Sequence, residues 1–256
     1  MSPSPIPVRA TAAISVQSLS KIFKDKKRGE LRAVDGVSFD VHPGEIFGLL
    51  GPNGAGKTTT LRLIATLLKP TSGTANLGGY DIVSEPEKVR SQIGFLSGDM
   101  GLYGRMSPRE VLTFFGGFHG MNGSYLKSRV GEMIQTFGID KFADTRCDKL
   151  STGMKQKTAI ARTALHDPPI LILDEPTAGL DVPAARAIEN YVLEQKREGK
   201  CIVFSTHVME EAEYLCDRIG VISDGMLKST GSMEQLRAAT GKQRLREIFL
   251  DLLEIQ

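Results

Sequence analysis

Ile14 and Val16 open an alternation of apolar and polar positions, and Val37, Phe39 and Val41 resume it before a Pro43-Gly44 turn. A period of two bounded by turn residues predicts antiparallel strands with one buried face. The pattern then changes. Ile46 to Leu50 is unbroken apolar sequence, as expected of a short strand buried on both faces, and it runs directly into a glycine-rich segment. Leu61, Ile64, Ala65 and Leu68 place a helix after that segment. From Ser107 to His166 the period is helical almost throughout. Ser107-Pro108-Arg109-Glu110 reads as a capping box with Pro at the first helical position, and Val111, Phe114, Phe115 and Phe118 form one apolar stripe. Leu126, Val130, Met133, Ile134 and Phe137 form a second. Ile170 to Leu173 and Cys201 to Phe204 are again strand candidates, joined by a helix carrying Ala184, Ile188 and Tyr191, the strand–helix–strand logic of a parallel sheet. Val221 and Ile222 add a further strand. Leu245, Ile248, Phe249, Leu252 and Leu253 make a C-terminal amphipathic helix, whose apolar face suits its own domain, a partner or a membrane surface.

This order gives an α/β chain: a parallel-sheet core, an N-terminal antiparallel β layer and an inserted all-helical subdomain. Expected boundaries are a mobile tail over 1–13, rich in Pro3, Pro5 and Pro7, a main domain over 14–238 with the helical insertion at about 98–167, and the C-terminal helix within 239–256. At 256 residues and 41% hydrophobic content, the chain can bury a full core. Its net charge of +2 offers no electrostatic footprint for nucleic acid, and Lys24-Asp25-Lys26-Lys27-Arg28 reads as a solvated hairpin loop. Three widely spaced cysteines, Cys147, Cys201 and Cys216, suggest neither a zinc site nor a disulfide framework. No apolar run approaches the ~20 residues that cross a bilayer, and the N-terminus lacks the apolar stretch of a signal peptide.

Chemistry enters at the ends of three strands. Gly51-Pro52-Asn53-Gly54-Ala55-Gly56-Lys57-Thr58 satisfies G-x-x-x-x-G-K-[ST] between a predicted strand and a predicted helix. Its glycines let successive N–H groups point at phosphate oxygens, helped by the positive end of the helix. Lys57 is expected to reach the β- and γ-phosphates and Thr58 to bind Mg²⁺, with Thr59 counted in the same nucleotide-binding set. Ile170 to Leu173 then ends on Asp174-Glu175. A hard cation suits Asp174, and Glu175 is the expected general base for the attacking water. Asp181 serves as the cap of the following helix. His207 closes another strand at the edge where α/β sites assemble, in place to contact the γ-phosphate and the water. His42, His119 and His166 are read as structural.

Taken in order with Leu150-Ser151-Thr152-Gly153 and Ala178-Gly179-Leu180-Asp181, these motifs resemble the ATP-binding subunit of ABC transporters, and the likeness covers about residues 14 to 235. It implies the P-loop NTPase core of the ABC ATPase fold, Mg²⁺-dependent ATP hydrolysis, and a head-to-tail dimer, of two copies or with a relative. Each ATP would be held by one chain's phosphate loop and the other's Ser151 and Gly153. By the same resemblance Phe23 stacks on adenine, with an ordinary strand role as the alternative, and Asp181 lies in the loop that crosses between subunits. Ser151 also precedes a helix, so its hydroxyl and that helix's first amides form a second anion site. The likeness further implies a separate membrane-spanning permease and a peripheral place on the cytoplasmic face of the membrane. Tyr103, Phe114 and Phe115 would frame the groove for the permease's helix, although most such side chains are expected in the core. The texture around Phe23 and Ser151 looks like the sodium-extruding or drug-exporting branch.

Two motifs depart from the family pattern. Thr152 and Met154 replace a Gly and a Gln of the commoner Leu-Ser-Gly-Gly-Gln, and Gly98 stands where a metal-contacting Gln usually follows Ile93-Gly94-Phe95-Leu96. At Gly98 either Asp99 substitutes through water or the metal keeps one more water. Two other classes compete with a transporter subunit. A soluble ABC ATPase acting on DNA or ribosomes would need a long coiled coil or a second cassette, and the sequence has neither. A binding-only regulator would not need Glu175 and His207.

Overall fold

The structure is a computed structural model that describes residues 12–25, 29–98 and 101–254. The expectations for Asp99, for the basic positions 26–28 and for the tail up to residue 11 lie outside the described residues. Next to the expected start of the main domain, Ala13 O accepts a hydrogen bond from Gly78 N at 2.9 Å, and its side chain packs on the core.

The alternating N-terminal segments form β1 (Ile14–Asp25) and β2 (Gly29–Val41), paired antiparallel with Ile14 opposite Val41. Their inward side chains, Ile14, Val16, Leu19, Val37, Phe39 and Val41, are buried, as the period of two requires. The apolar run is β3 (Ile46–Leu50), buried at every position, followed by α1 (Lys57–Ile64). This helix stops short of Leu68 because Thr66 turns to a positive φ of 63°. Less legible are β4 (Ser72–Leu77) and β5 (Tyr80–Asp81), which complete a four-stranded antiparallel sheet ordered β2-β1-β4-β5. Then come α2 (Pro86–Gln92) and β6 (Ile93–Leu96).

The helical segment comprises α3 (Pro108–Phe118), α4 (Gly123–Thr136), two short 3₁₀ turns and α5 (Thr152–Ala164). The capping box at Ser107 is present: Ser107 Oγ accepts from Glu110 N, and the Glu110 carboxylate accepts from Ser107 N. The aromatic stripe is oriented differently from the expectation of a mostly buried set. Val111 and Leu112 point into the core, while Tyr103, Phe114 and Phe118 are exposed, Phe118 at 74%. Packing of α3 against its neighbours makes Leu112, not Phe118, complete the inward face.

Next follow β7 (Ile170–Asp174), α6 (Val182–Arg197), β8 (Cys201–Thr206), α7 (Met209–Leu215), β9 (Arg218–Ser223) and β10 (Met226–Gly231). The second sheet runs β10-β9-β3-β8-β7-β6, parallel except for the antiparallel β10. After α8 (Met233–Thr240) and its Gly241 cap, α9 (Leu245–Leu252) turns Leu245, Ile248 and Phe249 onto Leu50, Ile219 and Val221. Its apolar face is therefore spent on its own domain. All three cysteines are free, and burial pushes each thiol up, so none is a reactive thiolate.

Candidate active site

The C-terminal ends of β3, β8 and β7 lie side by side, with Leu50 beside Thr206 and Ser205 beside Asp174. Parallel strands aim all their C-terminal loops to one edge, so sequence-distant residues meet there. The loop leaving β3 exposes Pro52, Asn53 and Gly54 at its tip and buries Ala55. Gly56 caps α1 at φ 103°, and a Cβ there would lie 2.5 Å from Ala33 O. Glycine is thus required by both angle and space. No side chain caps the N-terminus of α1 and no acid sits in its first turn, which leaves its positive end available to an anion. Lys57, only 5% exposed, donates from Nζ to Gly51 O (2.7 Å) and Pro52 O (3.2 Å). Thr58 and Thr59 are half-buried beside it.

Asp174 is buried at the end of β7, and its Oδ1 accepts from Thr58 Oγ1 (3.2 Å) and Ser205 Oγ (2.7 Å). Glu175 follows with φ 47°, a region costly for a side-chain-bearing residue. Its N–H is directed to Ser205 Oγ (3.0 Å) and Ser205 O (3.2 Å), which fixes the turn. Glu175 Oε1 lies 3.3 Å from Lys57 Nζ and 3.2 Å from His207 Nδ1. Lys57, Thr58, Asp174, Glu175 and His207 therefore form one connected constellation. A cation would find oxygen-only hard donors in Thr58 and Asp174, and a Cβ built on Gly98 would still stand 3.8 Å from Asp174 Oδ2. The donor set fits Mg²⁺.

Ser151, Gly153 and Asp181 are elsewhere. Together with Met154, Lys157 and Leu180 they line a separate cleft of about 580 Å³, and no residue of the 51–58 loop contributes to it. Ser151 caps α5, its Oγ accepting from Met154 N at 3.3 Å, and Asp181 caps α6, accepting from Ala184 N at 2.9 Å. Phe23 stands apart on β1, 37% exposed, with Lys21 Nζ 5.3 Å from its ring centre.

Three side chains at the site went unread in the sequence. Ser205 bonds both carboxylate-bearing residues, as above. Glu211 accepts from Thr206 Oγ1 and Thr177 Oγ1, each at 2.6 Å, so it ties the loop after β8 to the loop after β7. Gln156 donates to Pro176 O at 2.6 Å, linking the helix behind Ser151 to the Glu175 turn. The available signal was polarity: Ser205 and Thr206 interrupt an otherwise apolar run, and a buried hydroxyl needs a partner.

The family model described as ABC transporter matches residues 34–178. The chain is similar to the ABC transporter ATP-binding protein NatA of Bacillus subtilis, at 41% identity over 94% of this chain and 98% of that protein. It is also 40% identical to the Nod factor export ATP-binding protein I of Paraburkholderia xenovorans, over 95% and 76% respectively. Among solved structures, a dimeric post-hydrolysis state of an ATP-binding cassette bound to ADP and Pi superposes with a TM-score of 0.79 at 27% identity, covering 86% of this chain and 98% of that one.

Proposed function

Because this chain belongs to the ABC transporter family of ATP-binding proteins and is an ATPase of that kind, we propose that it powers a separate membrane-spanning permease as an exporter's engine. The observation that carries the catalytic reading is the single constellation of Lys57, Thr58, Asp174, Glu175 and His207. The N-terminal amides of α1 and the Lys57 ammonium hold the triphosphate. Mg²⁺, held by the Thr58 hydroxyl and the Asp174 carboxylate, would supply charge neutralisation on the phosphate oxygens. Glu175 accepts a proton from the attacking water. His207, 3.2 Å through Nδ1 from the same carboxylate oxygen, helps fix its orientation and would offer its other nitrogen to the reacting phosphate. Phe23 offers a flat, partly exposed face for the adenine.

The placement of Ser151 supports a site completed by a second subunit. Its cleft is distinct from the phosphate loop of the same chain, and Gly153 has room for a side chain, since a Cβ there would stand 3.6 Å from its nearest neighbour, Leu180 Cδ2. The chain's own packing does not demand that glycine, whereas close approach of a phosphate would. Two subunits facing head to tail would cover each loop-bound ATP with the partner's α5 N-terminus, and Asp181 would cross between them. The dimeric state of the solved cassette supports pairing of two subunits.

For the permease, the supporting feature is the exposed aromatic cluster of Tyr103, Phe114 and Phe118, with ring centres of Phe114 and Phe118 5.0 Å apart. Exposed contiguous aromatics mark partner surfaces. Among the described residues no helix is long and apolar enough to cross a membrane, so the membrane passage would belong to that partner and this chain would sit peripherally on the cytoplasmic face. The export role in the name of the Nod factor relative supports the outward direction. We divide the chain into an ATPase domain over 14–238, with the helical subdomain at about 98–167, and a C-terminal helical segment. The test is purification of a tagged copy from detergent-solubilised membranes. A polytopic membrane protein should accompany it, be lost on Phe114→Ser/Phe118→Ser, and move cargo outward with ATP in vesicles; retention by the double variant would refute the docking surface.

A further inference from the structure

We propose that Ser205 is a positioning residue for the metal–nucleotide site, acting on Asp174 and Glu175 through one hydroxyl. The inference rests on the reading of Asp174 as metal ligand and Glu175 as base, and deepens it. Ser205 is fully buried in β8, so its hydroxyl must find partners inside the protein. It finds two, both at the reacting edge. Oγ donates its only proton to Asp174 Oδ1 at 2.7 Å and accepts the Glu175 N–H at 3.0 Å.

Each bond does a separate job. The first occupies the Asp174 oxygen that also accepts from Thr58, which fixes the rotation of the carboxylate and leaves Oδ2 facing the open side at Gly98. A carboxylate that arrives already oriented loses less entropy on metal binding, and partners of this type typically change metal affinity or activity by about 10–100-fold. The second bond holds the Glu175 backbone at φ 47°, a conformation that persists only where its surroundings over-determine it. Without the hydroxyl, Glu175 N keeps only the longer bond to Ser205 O at 3.2 Å, and the carboxylate loses part of its anchorage opposite Lys57 and His207.

Ser205→Ala removes the hydroxyl and nothing else, and it makes the strand smaller rather than larger. The experiment measures binding of a fluorescent ATP analogue to the purified chain with EDTA and with saturating Mg²⁺, alongside kcat and KM for ATP. In the variant, affinity without metal should match the parent, because the Ser205 hydroxyl bonds Asp174 and Glu175 and not the 51–58 loop. The gain in affinity on adding Mg²⁺ should shrink by about 10-fold or more, with KM for ATP in Mg²⁺ rising to match, and kcat should fall by about 10–100-fold. An unchanged Mg²⁺ gain together with unchanged kcat would overturn the proposal. Equal loss of metal-free binding would also overturn it, by showing a merely structural role. A parent protein with no Mg²⁺ gain at all would instead remove the metal reading of Thr58 and Asp174, and this proposal with it.

Discussion

Replacing Glu175 with Gln isolates the proposed proton-accepting role, because the amide keeps the shape of the side chain and removes only its charge. The structure allows the other consequences to be separated. Lys57 loses its 3.3 Å ion pair but keeps its bonds to Gly51 O and Pro52 O, so it stays aimed into the phosphate loop. Freed of a competing carboxylate, it should bind ATP as well as before or better. The backbone of Glu175 is held by Ser205 and not by its own side chain, so the turn survives. What is lost is general-base assistance, which contributes about 10²–10⁴-fold, or about 3–5 kcal/mol of barrier at about 1.4 kcal/mol per tenfold. Single-turnover phosphate release should therefore slow by that factor, while ATP affinity stays within about threefold. Slow hydrolysis should also leave ATP in place long enough for a dimer to appear on size exclusion. Normal turnover with no ATP-dependent dimer would refute Glu175 as the base, and turnover lost together with ATP binding would show that the carboxylate serves only to position Lys57.

Ser151→Arg places a bulky cation in the second cleft, far from the loop at 51–58; ATP binding by the monomer should persist while the ATP-dependent dimer disappears, and equal loss of both would contradict completion of the site by a partner. Burial pushes His166 down to about 4, aided by the neighbouring His119 stacked 3.8 Å away. A depressed histidine binds fewer protons folded than unfolded, so stability is fully present above the unfolded pKa of about 6.5 and is lost as pH falls toward 4. Urea unfolding should show the parent losing about 1–2 kcal/mol more than His166→Gln between pH 7.5 and pH 5, and parallel losses would refute the assignment. Ile248→Ala should cost about 2–4 kcal/mol in urea unfolding, because Ile248 is fully buried against β9 and the end of β3; a loss under about 0.5 kcal/mol, typical of surface sites, would mean that α9 does not pack there in solution.

The gathering of the candidate site at one sheet edge was legible because each of its parts sits where a strong local signal ends. The run from Ile46 to Leu50 stops at Gly51, that from Ile170 stops at Asp174, and that from Cys201 stops at His207, and a parallel sheet brings such strand ends together without further information. What was not legible depends on rotation about an axis or on partners across the sheet. The stripe Val111, Phe114, Phe115 and Phe118 fits helical spacing, yet so does Val111 with Leu112 and Phe115, and only the packing of α3 against its neighbours decides that Phe118 faces solvent. The short strand β4 carries glycine, serine and threonine and β5 is only Tyr80–Asp81; β4 forms on the edge that β1 offers, and β5 on the edge of β4. Ser205 was hidden for a related reason. A serine in an apolar strand announces only that some partner must exist, and naming Asp174 as that partner requires the register of β7 against β8. The same register sets Ser205 opposite Asp174, so a single hydroxyl reaches both that carboxylate and the Glu175 backbone beside it. Strand order thus carries information about the candidate site that no linear motif contains.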